Sequence, residues 1–248
     1  MEAVSTIDEV IAALDAIVQR EWAAGSAAGY FPALYGRVTV AVKEAIARGD
    51  FEDNARMERL DVLFAQRYLE ADAAWSAGGA VPGSWKAAFA QSGRDLTVLQ
   101  HLLLGMNAHI GFDLGLSTEA CASGELLDLK ADFLRINDIL AAELEGTQRR
   151  LTRIVGPLGL VDRLLGEIDE QLSIFSLRYA RAGAWTQALE LALAKGEERE
   201  RLTAARDAAV ADFAQCLVRP PLLRARWLLR LVRWLERGDV RWRLDCLR

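Results

Sequence analysis

Histidine is almost missing from this sequence: its 248 residues include two, His101 and His109. Cysteine is equally scarce. The three present, Cys121, Cys216 and Cys246, are far apart and form no CxxC pair, which argues against a disulfide framework and a thiolate zinc site. No apolar run approaches the ~20 residues that span a bilayer. The opening MEAVSTIDEV is acidic and lacks the basic-then-apolar pattern of a secretory leader, so a cytoplasmic location is expected. No glycine-rich loop follows a strand, so phosphate cradling of the P-loop or Rossmann type is unsupported, and no G-x-S-x-G elbow occurs. The formal charge of −5 gives no general attraction to nucleic acid.

What is abundant is helix-forming. Hydrophobic residues make up 52% of the chain and charged ones 26%, the profile of a folded globular protein. Alanine, leucine, arginine and glutamate dominate, apolar positions recur at helical spacing, and no stretch alternates as a strand would. The reading is one all-α domain, a multi-helix bundle over 1–248. Helices are expected at Ser5–Ala23 (Thr6 or Ser5 capping), Leu34–Arg48 and Asn54–Ser76, and a short one at WKAAFAQSG. Next comes a histidine helix from near Leu96, and then one continuous helix over STEACASGELLDLKADFLRINDILAAELEG. VGPLGL breaks the chain, and two or three further helices follow, with a weaker boundary at RAGAW.

Both imidazoles sit in or beside LLLGMNAHIGFDLG, residues 102–115, with Gly105, Gly111 and Gly115 interleaved. His109 and Asp113 are four apart, so on a helix they share a face and can touch. His101 lies eight residues before His109, about 80° around the axis and ~12 Å along it, so both reach one ion only if the helix bends at Gly105 or Gly111. Three readings follow. The pair is a buried structural hydrogen bond, with Asn107 capping a backbone group. Alternatively it is an acid–base dyad in which Asp113 fixes the tautomer of His109. Or it holds a divalent metal with acids from neighbouring helices such as Asp132 or Asp61. The candidate catalytic set is therefore His109, Asp113, His101 and Asn107, and the candidate metal set His109, Asp113, Asp132 and Asp61.

Elsewhere, RMERLDVLFAQRYLEA sets Arg56, Asp61, Arg67 and Tyr68 around an apolar stripe. Salt bridging along the helix is the plainer reading, and Asp61 or Tyr68 facing a His109 pocket the alternative. NDILAAELE, Asn137 to Glu145, resembles the second magnesium motif of class I terpene cyclases. Its middle ligand position is Ala141, however, and DFEDN at 50–54 is only a loose partner, so a solvated acidic face is the better reading. From Arg219 onward the tail has nine arginines against three acids. A basic amphipathic helix over about 220–237 is expected to pack on the body through Leu and Trp. Its arginines would pair with acids near Glu197 to Glu200, and contact with a membrane surface is the less favoured reading.

Three stretches together, GDFEDNARMERLDVLFAQRYLEA, SWKAAF and LQHLLLGMNAHIGFDLGLS, with KADFLRINDIL following, resemble a bacterial family of all-helical proteins classed as a domain of unknown function. The resemblance runs from about Tyr30 to Leu140, and its most specific part is LLGMNAHIxxDL. It implies a helical fold and no established reaction. The functional reading is an enzyme acting on a small, partly apolar molecule through His109 and Asp113, by acid–base or metal-assisted chemistry. The alternative is a non-catalytic binding or scaffolding protein whose cluster satisfies the core.

Overall fold

The computed structural model describes residues 3–122, 126–156 and 177–248, apart from the side chains of residues 144 and 145, and in these residues the chain is helical without strands. Helix α1 spans Ile7–Ala24; a 3-10 turn over Ala27–Gly29 leads into α2, Tyr30–Arg48, and α3 covers Asn54–Ser76. A seven-residue α4, Gly83–Phe89, precedes α5, Val98–Ala108. A π-helical turn at His109–Asp113 then joins α5 to α6, Leu114–Cys121. After a 3-10 turn at Leu126–Leu129 come α7 (Lys130–Val155), α8 (Leu177–Leu193), α9 (Glu197–Val218), α10 (Leu223–Leu235) and α11 (Val240–Leu247).

The ends of the first helices follow from their caps. Thr6 accepts from the Glu9 amide and Asp53 from the Arg56 amide, each satisfying a donor that the first turn leaves unpaired. Gly25 and Gly49 close α1 and α2 with positive φ, where a side chain would be strained. At α5, Thr97 and Gln100 form a reciprocal capping box.

The segment α5–π–α6 is the axis of the molecule, contacted by α2, α3, α4, α8 and α9. Its glycines are points of close approach. A Cβ on Gly105 would lie 2.3 Å from Phe31 of α2, and one on Gly115 would lie 2.3 Å from Gln187 of α8. They are places where other helices approach too closely for any side chain. His101 is not brought to His109: the first packs on Tyr30 and the second on Asp113.

Other expectations change with the structure. The long helix expected after Gly115 is two helices, α6 ending at Cys121 and α7 starting at Lys130, with residues 123–125 outside the description. The boundary expected at RAGAW lies inside α8, where Ala184 and Ala188 are fully buried; packing on α6 outweighs the ~1 kcal/mol that Gly183 costs a helix. Of VGPLGL, Val155 does end α7 and Gly156 has positive φ, while residues 157–160 lie outside the described part.

The tail folds in two pieces. Helix α11, not anticipated, packs against α1, α2 and α7, with Leu244 and Leu247 buried among Val18, Tyr30, Ala33 and Ile154. Helix α10 buries only Ala225, Leu228 and Val232. Its Trp227 and Trp234 are exposed, against the expectation that they pack. Its Arg233 pairs with Asp95 and Glu236 and not with the acids of Glu197–Glu200, and Glu198 pairs with Arg201 of its own helix. No helix among the described residues is long and apolar enough to cross a membrane.

Candidate functional site

The π-turn carries the pair that the spacing points to. The Leu114 amide donates to the His109 carbonyl five residues back, and this widened turn holds both His109 and Asp113 on the inner face, each 2% exposed. His109 Nδ1 lies 3.2 Å from Asp113 Oδ2, and the same oxygen accepts from Trp85 Nε1 at 2.9 Å. A carboxylate on Nδ1 selects the tautomer protonated there. Nε2 is then left with its lone pair, and among the described residues it has no hydrogen-bond partner.

Around the imidazole stand five aromatic rings from three helices. Phe64 of α3 stacks on it with centroids 3.5 Å apart and planes 5° from parallel, and Tyr35 of α2 meets it edge-on at 4.5 Å. Phe31, Trp85 and Tyr68 complete the box at 5.7, 6.0 and 6.2 Å. The box is assembled by ties well outside it. Asp207 of α9 accepts from the Gly83 and Ser84 amides and so fixes α4, which carries Trp85. Arg20 of α1 grips Asp72 of α3 through two hydrogen bonds of 2.9 and 2.7 Å. Arg67 donates to Ser117 of α6 at 3.0 Å.

Burial governs the charges. It pushes His109 below the usual imidazole range, opposed by Asp113, and lifts Asp113 above the usual carboxylate range, opposed by His109 and Trp85. Asp61, one turn before Phe64, is raised to about 7 by burial and by Glu58. Among the described residues it makes no salt bridge, which corrects the expectation of ion pairing through Asp61 on α3, and its Oδ2 is buried without a partner. The Tyr35 hydroxyl is buried beside it, in the field of both Asp61 and Asp113.

The other candidates are engaged elsewhere. Asn107 Nδ2 donates to the Val210 carbonyl at 2.9 Å and ties α5 to α9. His101 packs edge-on to Tyr30 at 5.8 Å and is lowered to about 4 by burial and then by Arg233, so it is a separate, neutral imidazole. Asp132 accepts from the Glu52 and Asp53 amides at 2.8 and 3.0 Å, holding the entry to α3. The metal set His109, Asp113, Asp132 and Asp61 therefore does not converge. Among the described residues no three His, Cys, Asp or Glu side chains come together as a metal site requires. In the magnesium-like motif, Ala141 is exposed and the Glu145 side chain lies outside the description.

Tyr68 was legible as a possible neighbour of His109. Phe31, Tyr35, Phe64 and Trp85 were not, because nothing local in the sequence relates four aromatics on three helices to one imidazole.

The profile described as "Family of unknown function (DUF5995)" matches residues 7–220. The chain belongs to the DUF5995 family. The match extends beyond the Tyr30–Leu140 resemblance on both sides, so every element that builds the DUF5995 box, from α1 to α9, falls within it. No curated protein and no solved structure matches the chain.

Proposed function

We propose that this DUF5995 protein is an enzyme that performs acid–base chemistry on a small, partly apolar molecule held in the aromatic box. In this reading His109 Nε2 is the base, Asp113 and Trp85 orient the ring, and the Tyr35 hydroxyl offers the neighbouring hydrogen bond. The observation that carries the reading is the unpartnered Nε2 of a fully enclosed histidine whose other nitrogen is held by a carboxylate. A histidine kept only for stability has no reason to leave that nitrogen unsatisfied, since such an atom costs about 1–3 kcal/mol. The π-turn adds support, because single π-turns inside α-helices are frequent at functional sites. Access would come past Phe64, the one wall of the box that is only partly buried.

The opposing reading, a structural pair in a scaffold, draws on the 2% exposure of both partners. Two histidines in the chain make the test clean, because protein labelled at histidine gives two imidazole signals. The expected spectrum has a neutral His109 protonated on Nδ1, with an Nε2 resonance that moves when phenol or benzamide is added and moves further in Phe64→Ala. A His109 protonated on Nε2 alone, or a signal indifferent to both probes in both proteins, overturns the proposal. Denaturant melts add a second readout. The structural reading expects losses of roughly 1–3 kcal/mol in both His109→Gln and Asp113→Asn. The proposal expects His109→Gln to cost little, since a group kept for function contributes less to stability than one kept for the core.

A further inference from the structure

Helix α10 divides its surface in an unusual way. Ala225, Leu228 and Val232 face inward, against Leu99 and Val155, and hold the helix to the body. On the opposite side Leu223, Trp227, Arg230 and Trp234 follow one another at intervals of four, three and four residues, which places them on one line along the axis. Leu223 is 70% exposed, Trp227 70% and Trp234 79%. Two tryptophans turned fully to water on one ridge gain nothing from the fold, since their apolar area is left unburied.

The charges beside this ridge decide what covers it. Arg230 lies over the Trp227 ring at 5.8 Å, and Arg226 donates to the Pro220 carbonyl. Among the described residues neither has a carboxylate partner, whereas Arg233 on the inner edge has two. Of the tail's three acids, Glu236 is buried behind the helix against Arg233 and Arg243, while Asp239 caps α11 and Asp245 lies on α11, both exposed and outside the α10 sequence. Among the described residues the outer surface is therefore a short apolar line flanked by the guanidinium groups of Arg226 and Arg230 with no carboxylate on them, on a chain whose formal charge is −5. A nucleic acid would meet cations here but have no use for a Leu–Trp ridge presented on a helix attached to an acidic body.

We propose that the outer face of α10 docks on an anionic lipid surface. The helix lies in the interfacial plane, with Trp227 and Trp234 at headgroup depth and Leu223 reaching the acyl boundary. Arg226 and Arg230 extend back toward the phosphates with their stems along the apolar side. Thirteen residues amount to ~20 Å of helix, enough for three to four turns of contact and too short to span. The attachment is consequently peripheral and salt-sensitive. Helix α10 lies beyond residue 220, where the family match ends, so the proposal is independent of the aromatic box and of the chemistry assigned to it.

The test is flotation of the full chain with vesicles of phosphatidylcholine alone or with a third phosphatidylserine, at low and at high salt. The expected result is binding to the anionic vesicles at low salt, a loss of tenfold or more at ~1 M salt, where the Debye length is ~3 Å, and little binding to neutral vesicles. Trp227→Ser with Trp234→Ser, and separately Arg226→Glu with Arg230→Glu, are each expected to reduce binding tenfold or more. Trp227, Arg230 and Trp234 are exposed and Arg226 is half-buried with one bond to the Pro220 carbonyl, so circular dichroism melts should show the tryptophan variant folded as in wild type and the arginine variant at most slightly less stable. No binding to anionic vesicles at low salt overturns the proposal, as does binding that survives both pairs of substitutions. A concentration-dependent dimer in sedimentation that the tryptophan pair abolishes, without vesicle binding, would also overturn it and assign the ridge to a second copy.

Discussion

A carboxyl group raised to about 7 changes how stability depends on pH. Asp61 in the unfolded chain titrates near 3.9, so between about pH 4 and 7 the folded state holds a proton that the unfolded state has released. On this account stability contributed by Asp61 is intact below pH 4 and falls as pH rises through 7. Asp61→Asn is expected to be the more stable protein at pH 8, by up to a few kcal/mol, and to converge with wild type near pH 4; urea melts across that range measure it. His101 acts in the opposite sense. Its folded value near 4 lies below the unfolded ~6.5, so its contribution is intact above 6.5 and is lost as pH falls toward 4. His101→Gln should flatten the acid limb of the same curve and leave the alkaline limb alone. Such effects could not be read from the sequence, because the burial that moves each group comes from side chains far away along the chain. Asp61 reads locally as one more charge on a salt-bridged helix.

At the scale of the helix, the glycines of the histidine run set distances between neighbours. Gly105→Ala would drive a methyl group to 2.3 Å from Phe31, and Phe31 is itself a wall of the box. The expected cost is about 1–3 kcal/mol, the usual range for overpacking, together with a displaced His109 signal in the labelled protein. Thr97→Ala, which removes half of a capping box remote from the imidazole, should cost ~1 kcal/mol and leave that signal unmoved. The pair of measurements separates strain in the site from ordinary loss of stability. Helix ends with a local cause were the legible part: the Thr6 cap of α1 and the end of α2 at Arg48, before Gly49, depend on a few neighbouring residues. The contact of His109 with Asp113 was legible too, since i, i+4 spacing survives the π-turn. The role of Gly105 and Gly115 was not, because a glycine that bends a helix and one that admits a neighbour look alike until the neighbour is placed. Helix α8 shows the same limit. Gly183 reads as a break, and only the packing of Ala184 and Ala188 against α6 shows why the helix continues.

For the molecule as a whole, the all-helical character of the described residues matches what composition and periodicity imply, while the tail shows where that reasoning stops. An amphipathic pattern says that a helix has two faces, and it does not say which is covered. In α10 the covered side is the one with Ala225 and Val232, and the tryptophan-bearing side is left open. Helix α11, short and rich in arginine, gives almost no pattern of its own, yet Leu244 is fully buried against a cluster drawn from α1, α2, α5 and α7. Ending the chain before Val240 should therefore uncover Val18, Tyr30 and Ala33. A broadened, lower-temperature melt with increased binding of an apolar dye is the expected outcome, and an unchanged melt would show the helix to be dispensable.

The seating of Leu244 on Gly29, with Arg248 bonded to Asp15 and Arg241 to the carbonyls of Trp22 and Ala23, has a further consequence in time. Synthesis proceeds at roughly 5–20 residues per second, so α1 leaves the ribosome on the order of 10–40 s before the residues that cover it. Throughout that interval the nascent chain carries an apolar patch around Val18 and Tyr30 that no earlier segment can close. The yield of folded protein is then expected to fall when translation is slowed or chaperones are depleted, even where the stability of the finished fold is unchanged.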